Sequence, residues 1–553
     1  MKRNKLFATI TSILLVCLLL VACAQPAVDA PAPEQPATPE APAPAPTPGA
    51  PEAPQAPVFE APPAELEDDQ AFADEVIIIT DGTALSVVDP FSPATSPTAS
   101  RQALIMVFDT LVVAAGDGVY DPALATDWQN DNYQTITMTL REGVVFNNGE
   151  AFTAADVVAT AEAGREAVGS MAFDVWRSVE TVRAIDSHTV EFVLSDIDVE
   201  FFFNLSQPHA AIVSAAAIPQ AEANPEIMFN AGTGAFRVES LSPNDQVVFV
   251  RNDNYWGNTP PSARQTWLTI PEVPTRSIML LNGEANMTWG VVPDDIQMFR
   301  ETDGFDVVRH NNNNPHYLSF NMNDPIAGDL NFRRAIAHAI YKPDAALAAG
   351  GEAAAAIDSP NLFGYATEFK NTNIPAIPHD LALARQYLEA SVWNGETIVI
   401  SVAIPTNIRA AEVIQAQLTM VGINAELNVM DVPGFTSTVT YRDNQSQLAV
   451  YILPTTLSAA SMRNAFFPGN TLNRASFNVP EITAMLEEAA TTVDVSARRD
   501  LYMRIQEMTS EYMAYIPVFM NHGTIVVSEG FGGLGYSPVG NHDVRFAFQT
   551  IEG

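Results

Sequence analysis

Eight histidines, two cysteines and 65 carboxylates are the groups of this 553-residue chain best suited to chemistry, so their spacing is the first test. Zinc hydrolysis on a helix needs His-Glu-x-x-His, which puts two imidazoles on one face with a general base beside them. None of His188, His209, His310, His316, His338, His379, His522 and His542 stands in that pattern. His310 and His316 flank the run Asn311–Asn314, which reads as a polar loop before it reads as a metal or ligand contact. Both cysteines, Cys17 and Cys23, fall at the extreme N-terminus, so there is no disulfide scaffold. Gly232-Thr233-Gly234 opens like a dinucleotide turn, but Arg237 takes the place of the third glycine. The phosphate-cradling Gly-x-x-x-x-Gly-Lys-Ser/Thr loop, the Gly-x-Ser-x-Gly elbow and Ser-x-x-Lys are missing. Asp294-Asp295 reads as a turn or helix start rather than an acid–base pair. The chain reads as a non-enzyme with no cofactor and no metal.

Charge narrows the partners. With 27 basic and 65 acidic residues the formal charge is −38, and the basic residues are scattered, so nucleic acid is excluded as a partner. Hydrophobic content of 47% is that of a globular chain, and the length suggests two to four domains.

Lys2, Arg3 and Lys5 precede an apolar run from Leu6 to Ala22, the layout of an export signal. Leu20-Val21-Ala22-Cys23 resembles the bacterial lipobox, in which the signal (1–22) is cut before a Cys whose sulfur takes a diacylglycerol. Residues 25–64 then hold 14 prolines, mostly alternating with Ala. Proline locks φ and removes a donor, so the segment 23–70 reads as a disordered, extended tether. At about 3.1 Å per residue it reaches on the order of 100 Å. These features predict a protein anchored by lipid on Cys23 at the outer face of the bacterial plasma membrane. No other stretch is long and apolar enough to span a bilayer.

The elements that must position any site alternate between short β-rich runs and 3.6-period helices, which predicts α/β layers. The clearest unit is Thr397–Met430. A β-rich run (397–404) ends at Pro405, and Asn407 is placed to cap a helix with Ala411, Ile414, Leu418 and Val421 on one face. Gly422 stops it, and Ile423, Ala425, Leu427 and Val429 alternate as a strand. Further helices are predicted from Asp380 and from Asp494, the second broken by Pro517. Thr135–Phe146 reads as a strand turning at Glu142-Gly143.

Several segments, in order, resemble the extracellular solute-binding proteins of family 5, the dipeptide-, oligopeptide- and nickel-binding class serving ABC importers. They are Asp121–Trp128, Leu140–Glu150 with Thr153–Val157, Gly232–Phe236, and Arg251-Asn252-Asp253-Asn254-Tyr255-Trp256-Gly257. Gly283–Asn286, Phe320-Asn321 ahead of Arg333–Ile340, and Met420–Ile423 follow. Most have an architectural meaning first: Gly143 and Gly149 as turns, Asp156 as a cap, Trp128 and Trp256 as core.

The resemblance implies a two-lobed periplasmic-binding-protein-like fold with an extra subdomain in lobe I. Lobe I is expected at 71–292 and 518–553, and lobe II at 293–517. It implies a monomer that captures a peptide or other small solute between closing lobes and hands it to ABC permease subunits. Thr288 and Trp289 fall near the expected crossing, with Trp289 either a stacking platform or a core residue. Leu453, Pro454, Thr455 and Thr456 stand where many peptide-binding relatives carry Gly-Trp-x-x-Asp, whose Asp pairs a peptide ammonium; here neither the Trp nor that Asp is present. Asn521 and His522 follow the return strand, and Arg463 is a weaker candidate for a carboxylate. A nickel or oligosaccharide ligand, a sensory receptor on the same scaffold and a surface hydrolase remain as other readings.

Overall fold

The computed structural model describes residues 72–80, 85–95, 98–116, 119–131, 133–289, 291, 293–351, 354–357, 369–440, 444–453, 459–470, 472–537 and 541–550. The expected export signal, Cys23, the expected tether and Pro454–Thr456 lie outside the described residues, as do the side chains of 309–314 and of His522.

The chain opens with β1 (Glu75–Ile79) and α1 (Thr98–Val107), then the hairpin β2 (Val112–Gly116) and β3 (Val119–Pro122). Next come β4 (Ala125–Asp131), β5 (Thr135–Leu140), β6 (Val179–Asp186) and β7 (Thr189–Leu194), an antiparallel sheet in the order β4-β5-β7-β6. The alternation in Thr-Ile-Thr-Met-Thr-Leu buries Ile136, Met138 and Leu140 against α2 (Ala154–Glu166), α3 (Met171–Trp176) and α4 (Phe201–Leu205). Gly143 turns the chain at φ +77°. Asp156 accepts from the Thr153 amide at 2.8 Å and closes the N-terminus of α2. This unit has its own core around Trp176 and Phe192, and it is the extra subdomain of the first lobe.

That lobe continues with β8 (Phe236–Ser242), β9 (Gln246–Arg251), β10 (Arg264–Leu268), α5 (Val273–Leu281), β11 (Met287–Trp289) and α6 (Pro293–Arg300). A 16-residue strand, β12 (Phe305–Phe320), crosses to the second lobe. There lie α7 (Leu330–Ala339), α8 (Lys342–Gly350), β13 (Ala354–Ala356), α9 (Leu381–Glu389), β14 (Ile398–Val402), α10 (Pro405–Met420), β15 (Ala425–Val429) and α11 (Val432–Thr438). Then follow β16 (Leu448–Ile452), α12 (Met462–Phe466), α13 (Pro480–Thr491) and α14 (Val495–Tyr512), and β17 (Tyr515–Ser528) returns to the first lobe.

One sheet runs through both lobes in the order β15-β14-β16-β12-β17-β11-β1-β10-β9-β8, with β13 also paired to β17. Packing changes hands along its two long strands. Phe305 and Val307 on β12 join Ile79, Phe299 and Val526 in a first-lobe core, whereas Leu318 and Phe320 join Ile336, Ile400 and Ile414 in a second-lobe core. On β17, Phe519 belongs to the second lobe and Ile525 to the first. The change of core therefore falls between Val308 and Tyr317 and between Phe519 and Ile525, beyond the expected boundaries at 292/293 and 517/518. A continuous strand carries no composition break to mark the point.

Three local expectations are corrected. Residues 309–314 belong to strand β12 and not to a loop. Ile404 takes the N-cap position of α10, while Asn407 is buried inside the first turn. Helix α14 ends at Tyr512 with Met513 left-handed at φ +48°, and Pro517 sits within β17 opposite Tyr317, beside an irregularity in the pairing. Asp380 and Asp494 do cap α9 and α14, accepting from Leu383 and Ala497 respectively. The unit β14–α10–β15 forms as the periodicity predicts, with Gly422 at φ +97°.

Candidate functional site

Strand polarity points to one place. In the first lobe β1 runs parallel to β10 and β11. The C-terminal residue of β11, Trp289, pairs with Ile525, nearer the crossing than Met287, which pairs with Val527. In the second lobe β14 runs parallel to β15 and β16, and the C-terminal residue of β16, Ile452, pairs with His316 while Leu448 pairs with the distant Phe320. The parallel strands of both lobes thus aim their C-terminal ends at the stretch 309–316 of β12 and 519–524 of β17. Open α/β sheets bind ligands outside those ends, where loops and helix starts converge.

At the first-lobe edge of this region Arg276 acts as a staple. Its guanidinium donates to the carbonyls of Ile270 (2.7 Å), Pro271 (3.0 Å) and Trp289 (3.3 Å), tying the exit of β10 to the exit of β11. At the second-lobe edge the exit of β14 leads directly into α10. His316 on β12 is buried there, with Nδ1 2.5 Å from Oδ1 of Asn407 and its ring stacked on Phe519 at 4.1 Å and 17°. Since Asn407 Oδ1 can only accept, Nδ1 carries the proton and Nε2 is left as an acceptor facing the Asn521 amide at 3.5 Å. Burial pushes the His316 pKa down to about 4, against the opposing effect of the Asn407 bond. Arg409, two residues further along α10, donates to the carbonyls of Ala348 and Ala349 and fixes the helix to the end of α8.

The sequence-derived site residues divide. Thr288 and Trp289 do lie beside the crossing, but both are fully buried. Trp289 packs edge-on to Trp267, with centroids 5.8 Å apart and planes at 87°, inside the first-lobe core. It is a core residue and not an open stacking platform, because all three residues of β11 are covered on both faces. Leu453 is also buried, its amide donating to the Pro315 carbonyl at 3.1 Å. Asn521 is half-buried at the crossing, and His522 pairs with Asn311 in the same ladder. Pro454, Thr455 and Thr456 lie outside the described residues. Arg463 spends its guanidinium on the Leu486 carbonyl (3.1 Å) and the Phe467 ring (3.9 Å), which argues against a carboxylate partner. His316 and Asn407 are the polar residues that sequence reasoning underrated. An Asn at a helix start and a His at the edge of an Asn run were the available signals.

Several motifs meet at Asp109, which the sequence did not single out. Its carboxylate accepts from Trp256 Nε1 (2.8 Å), Thr233 Oγ1 (2.9 Å) and the Tyr255 hydroxyl (3.3 Å), with Arg545 3.7 Å away. Gly232 and Gly234 let this turn lie against the end of α1, since a Cβ on either would collide with the backbone at Val107. The Gly-Thr-Gly and Asn-x-x-Tyr-Trp segments are therefore structural partners. A groove of about 670 Å³ elsewhere in the first lobe is lined by Asn147, Asn148, Glu150, Gln220 and Arg237, among others. Much of its polar lining is already satisfied internally: Ser214 donates to Glu150 and Gln220 to the Ala216 carbonyl. Among the described residues no cluster of three or more His, Cys, Asp or Glu could hold a metal, and no helix is long and apolar enough to cross a membrane.

Comparison with known proteins supplies independent context. Residues 119–474 match the family model described as bacterial extracellular solute-binding proteins, family 5 Middle. The glutathione-binding protein GsiB of Escherichia coli O1:K1 is 24% identical over 502 residues, covering 87% of this chain and 95% of the relative. The nickel-binding periplasmic protein of E. coli K12 is 24% identical over 488 residues, covering 82% and 91%. Among solved structures, the periplasmic binding protein DppA from Helicobacter pylori in complex with the peptide STSA superposes with a TM-score of 0.72 at 21% identity, covering 87% of this chain and 99% of that one.

Proposed function

The chain belongs to the bacterial extracellular solute-binding proteins of family 5, and on that premise we propose that it captures a peptide or similar small solute between its two lobes for an ABC permease. The observation that carries this reading is the convergence of both lobes' parallel strands on one crossing, 309–316 with 519–524. The crossing strands form the floor of such a site, and its walls rise at the C-terminal ends of β1, β11, β14, β15 and β16. Asn521 and His522 lie on the crossing strand β17 and Leu453 directly follows β16, with Thr288 and Trp289 as the packed support behind one wall. A solute touching both walls favours the closed arrangement by contacts that an open one lacks. It leaves unaltered.

Lipid attached at Cys23 and the proline-rich segment 23–70 supply the anchor and leash in this reading, and the protein works as a monomer outside the plasma membrane. A peptide-like solute is favoured by the names of the relatives, one a glutathione-binding protein and one seen with a tetrapeptide. The missing Gly-Trp-x-x-Asp pattern points away from recognition of a free dipeptide ammonium.

The test is mass spectrometry of the solute that co-purifies with the protein, followed by calorimetry with peptide and oligosaccharide panels. One solute per chain, recovered with every bond intact, is the expected result. A panel that never binds, or a solute recovered cleaved, overturns the proposal.

A further inference from the structure

The two crossing strands are not the only tie between the lobes. Val199, in the subdomain of the first lobe, is buried, and its amide donates to the Ala490 carbonyl in the last turn of α13 at 3.5 Å. Carbonyls in the last turn of a helix have no partner within the helix, so this one is available to a donor from outside. The donor's position is fixed from its own side. The Asp198 amide donates to the Tyr133 carbonyl at 3.2 Å, Asp198 Oδ1 accepts from the Glu200 amide at 3.0 Å, and Phe201 and Phe202 are sunk in the subdomain core.

Charges of both signs face one another at the same place. Glu200 acts on the buried Tyr502 of α14, whose hydroxyl is pushed up first by burial and then by the Glu200 charge, with Arg498 and Arg463 opposing. Arg463 in turn feels Arg177 of the subdomain, a like charge, and Glu487 of its own lobe. The facing set is thus Glu200 and Arg177 from the first lobe against Arg463, Arg498, Glu487 and Tyr502 from the second.

We infer that Asp198–Glu200 is a latch, a lobe-to-lobe contact independent of the crossing strands, which must part for the lobes to separate and which biases the solute-free protein toward the closed form. Its consequence for uptake rests on the capture reading above, but the contact itself does not. A latch of this kind raises apparent affinity for any solute by enlarging the binding-competent fraction, without touching the solute.

The test uses the full chain with Cys17 and Cys23 exchanged for Ser, stripped of solute by unfolding and refolding. Spin labels on exposed Ile278 and Met420, one in each lobe, report the distance between them. With the latch intact a short-distance population is expected without solute. Glu200→Ala should reduce that population by about two- to fivefold, the scale of a partly exposed charge contact, and Glu200→Gln by less. A second pair, Val199→Cys with Ala490→Cys, should cross-link under mild copper oxidation in the absence of solute. An unchanged distance distribution in Glu200→Ala, or no cross-link, overturns the latch. Failure of the capture reading would show separately, as a peptide panel that shifts neither distribution.

Discussion

The Nδ1 of His316 lies 2.5 Å from the Oδ1 of Asn407, joining a crossing strand to the first turn of α10. Because the same imidazole stacks on Phe519, both crossing strands and the helix that starts at the exit of β14 are held by one side chain. The pairing of β12 with β17 shifts register between Asn311 and Pro315 and again between His316 and Tyr317. His316 therefore stands at the second-lobe end of the irregular stretch, where the ladder itself gives least support.

Asn407→Ala should leave the Nδ1 proton of His316 buried without an acceptor. The expected loss is about 1–3 kcal/mol of unfolding free energy, the penalty of an orphaned buried donor. Asn407→Asp keeps the acceptor and adds a counter-charge, so it should raise the His316 pKa. Urea titration measures the first and an NMR titration of the imidazole the second. Wild-type stability in Asn407→Ala would remove the bond from the account.

Asp109 collects three donors inside the first lobe, and Arg545 is also held by Asp543 at 2.6 Å. Asp109→Ala strips the acceptor from Trp256, Thr233 and Tyr255 at once and should cost about 3 kcal/mol or more. Asp109→Asn retains one carbonyl acceptor and should cost less. Thermal unfolding of both variants checks the order, and equal losses would contradict it.

Gly234→Ala tests the close approach of the Gly-Thr-Gly turn to α1. The added Cβ would stand 2.5 Å from the Val107 carbonyl carbon and 2.7 Å from the Met106 oxygen, both backbone atoms that cannot rotate away. A loss of about 1–3 kcal/mol is expected from overpacking. Gly149→Ala meets no atom within 4 Å, and its penalty comes only from a φ of +89°. Denaturation midpoints should separate the two, with Gly234 the more sensitive.

Trp289→Ala is a stability experiment first. The ring lies in the core against Trp267, so its removal should cost about 3–5 kcal/mol by cavity formation. Any fall in solute affinity should follow the fraction folded. An open platform would instead lose affinity at unchanged melting temperature, and that result would return Trp289 to the wall of the site.

What the sequence made legible was local. The unit β14–α10–β15 and the caps Asp380 and Asp494 rest on periodicities and side-chain types within a few residues of one another. Asn407 was misread for the same reason: an Asn at a helix start suits a cap, while its bond to His316 spans 91 positions. The Asp109 bonds span 124 to 147 positions, so no spacing rule could assemble them. Trp289 lies on a three-residue strand buried on both faces, which has no alternation from which to read its facing. Pro517 looked like a helix breaker because prolines often are, yet the helix had already ended at a left-handed Met513.

Acid should weaken the fold through two buried imidazoles. Burial holds His316 near a pKa of about 4, and burial with the Arg101 charge does the same for His209. Each is neutral when folded but takes a proton at about 6.5 when unfolded. The unfolded chain therefore binds more protons between pH 6.5 and 4, and stability rises with pH across that window. Each contribution is complete above pH 6.5 and is lost as pH falls toward 4, on the order of 2 kcal/mol by pH 5. His316→Gln should remove about half of the histidine-dependent drop between pH 7 and pH 5, leaving the part due to His209. The carboxylates titrate alike in both proteins, so the difference between their urea midpoints isolates the imidazole. An identical drop in His316→Gln and wild type would mean that His316 reaches solvent, and the packed floor of the proposed cleft would have to be redrawn.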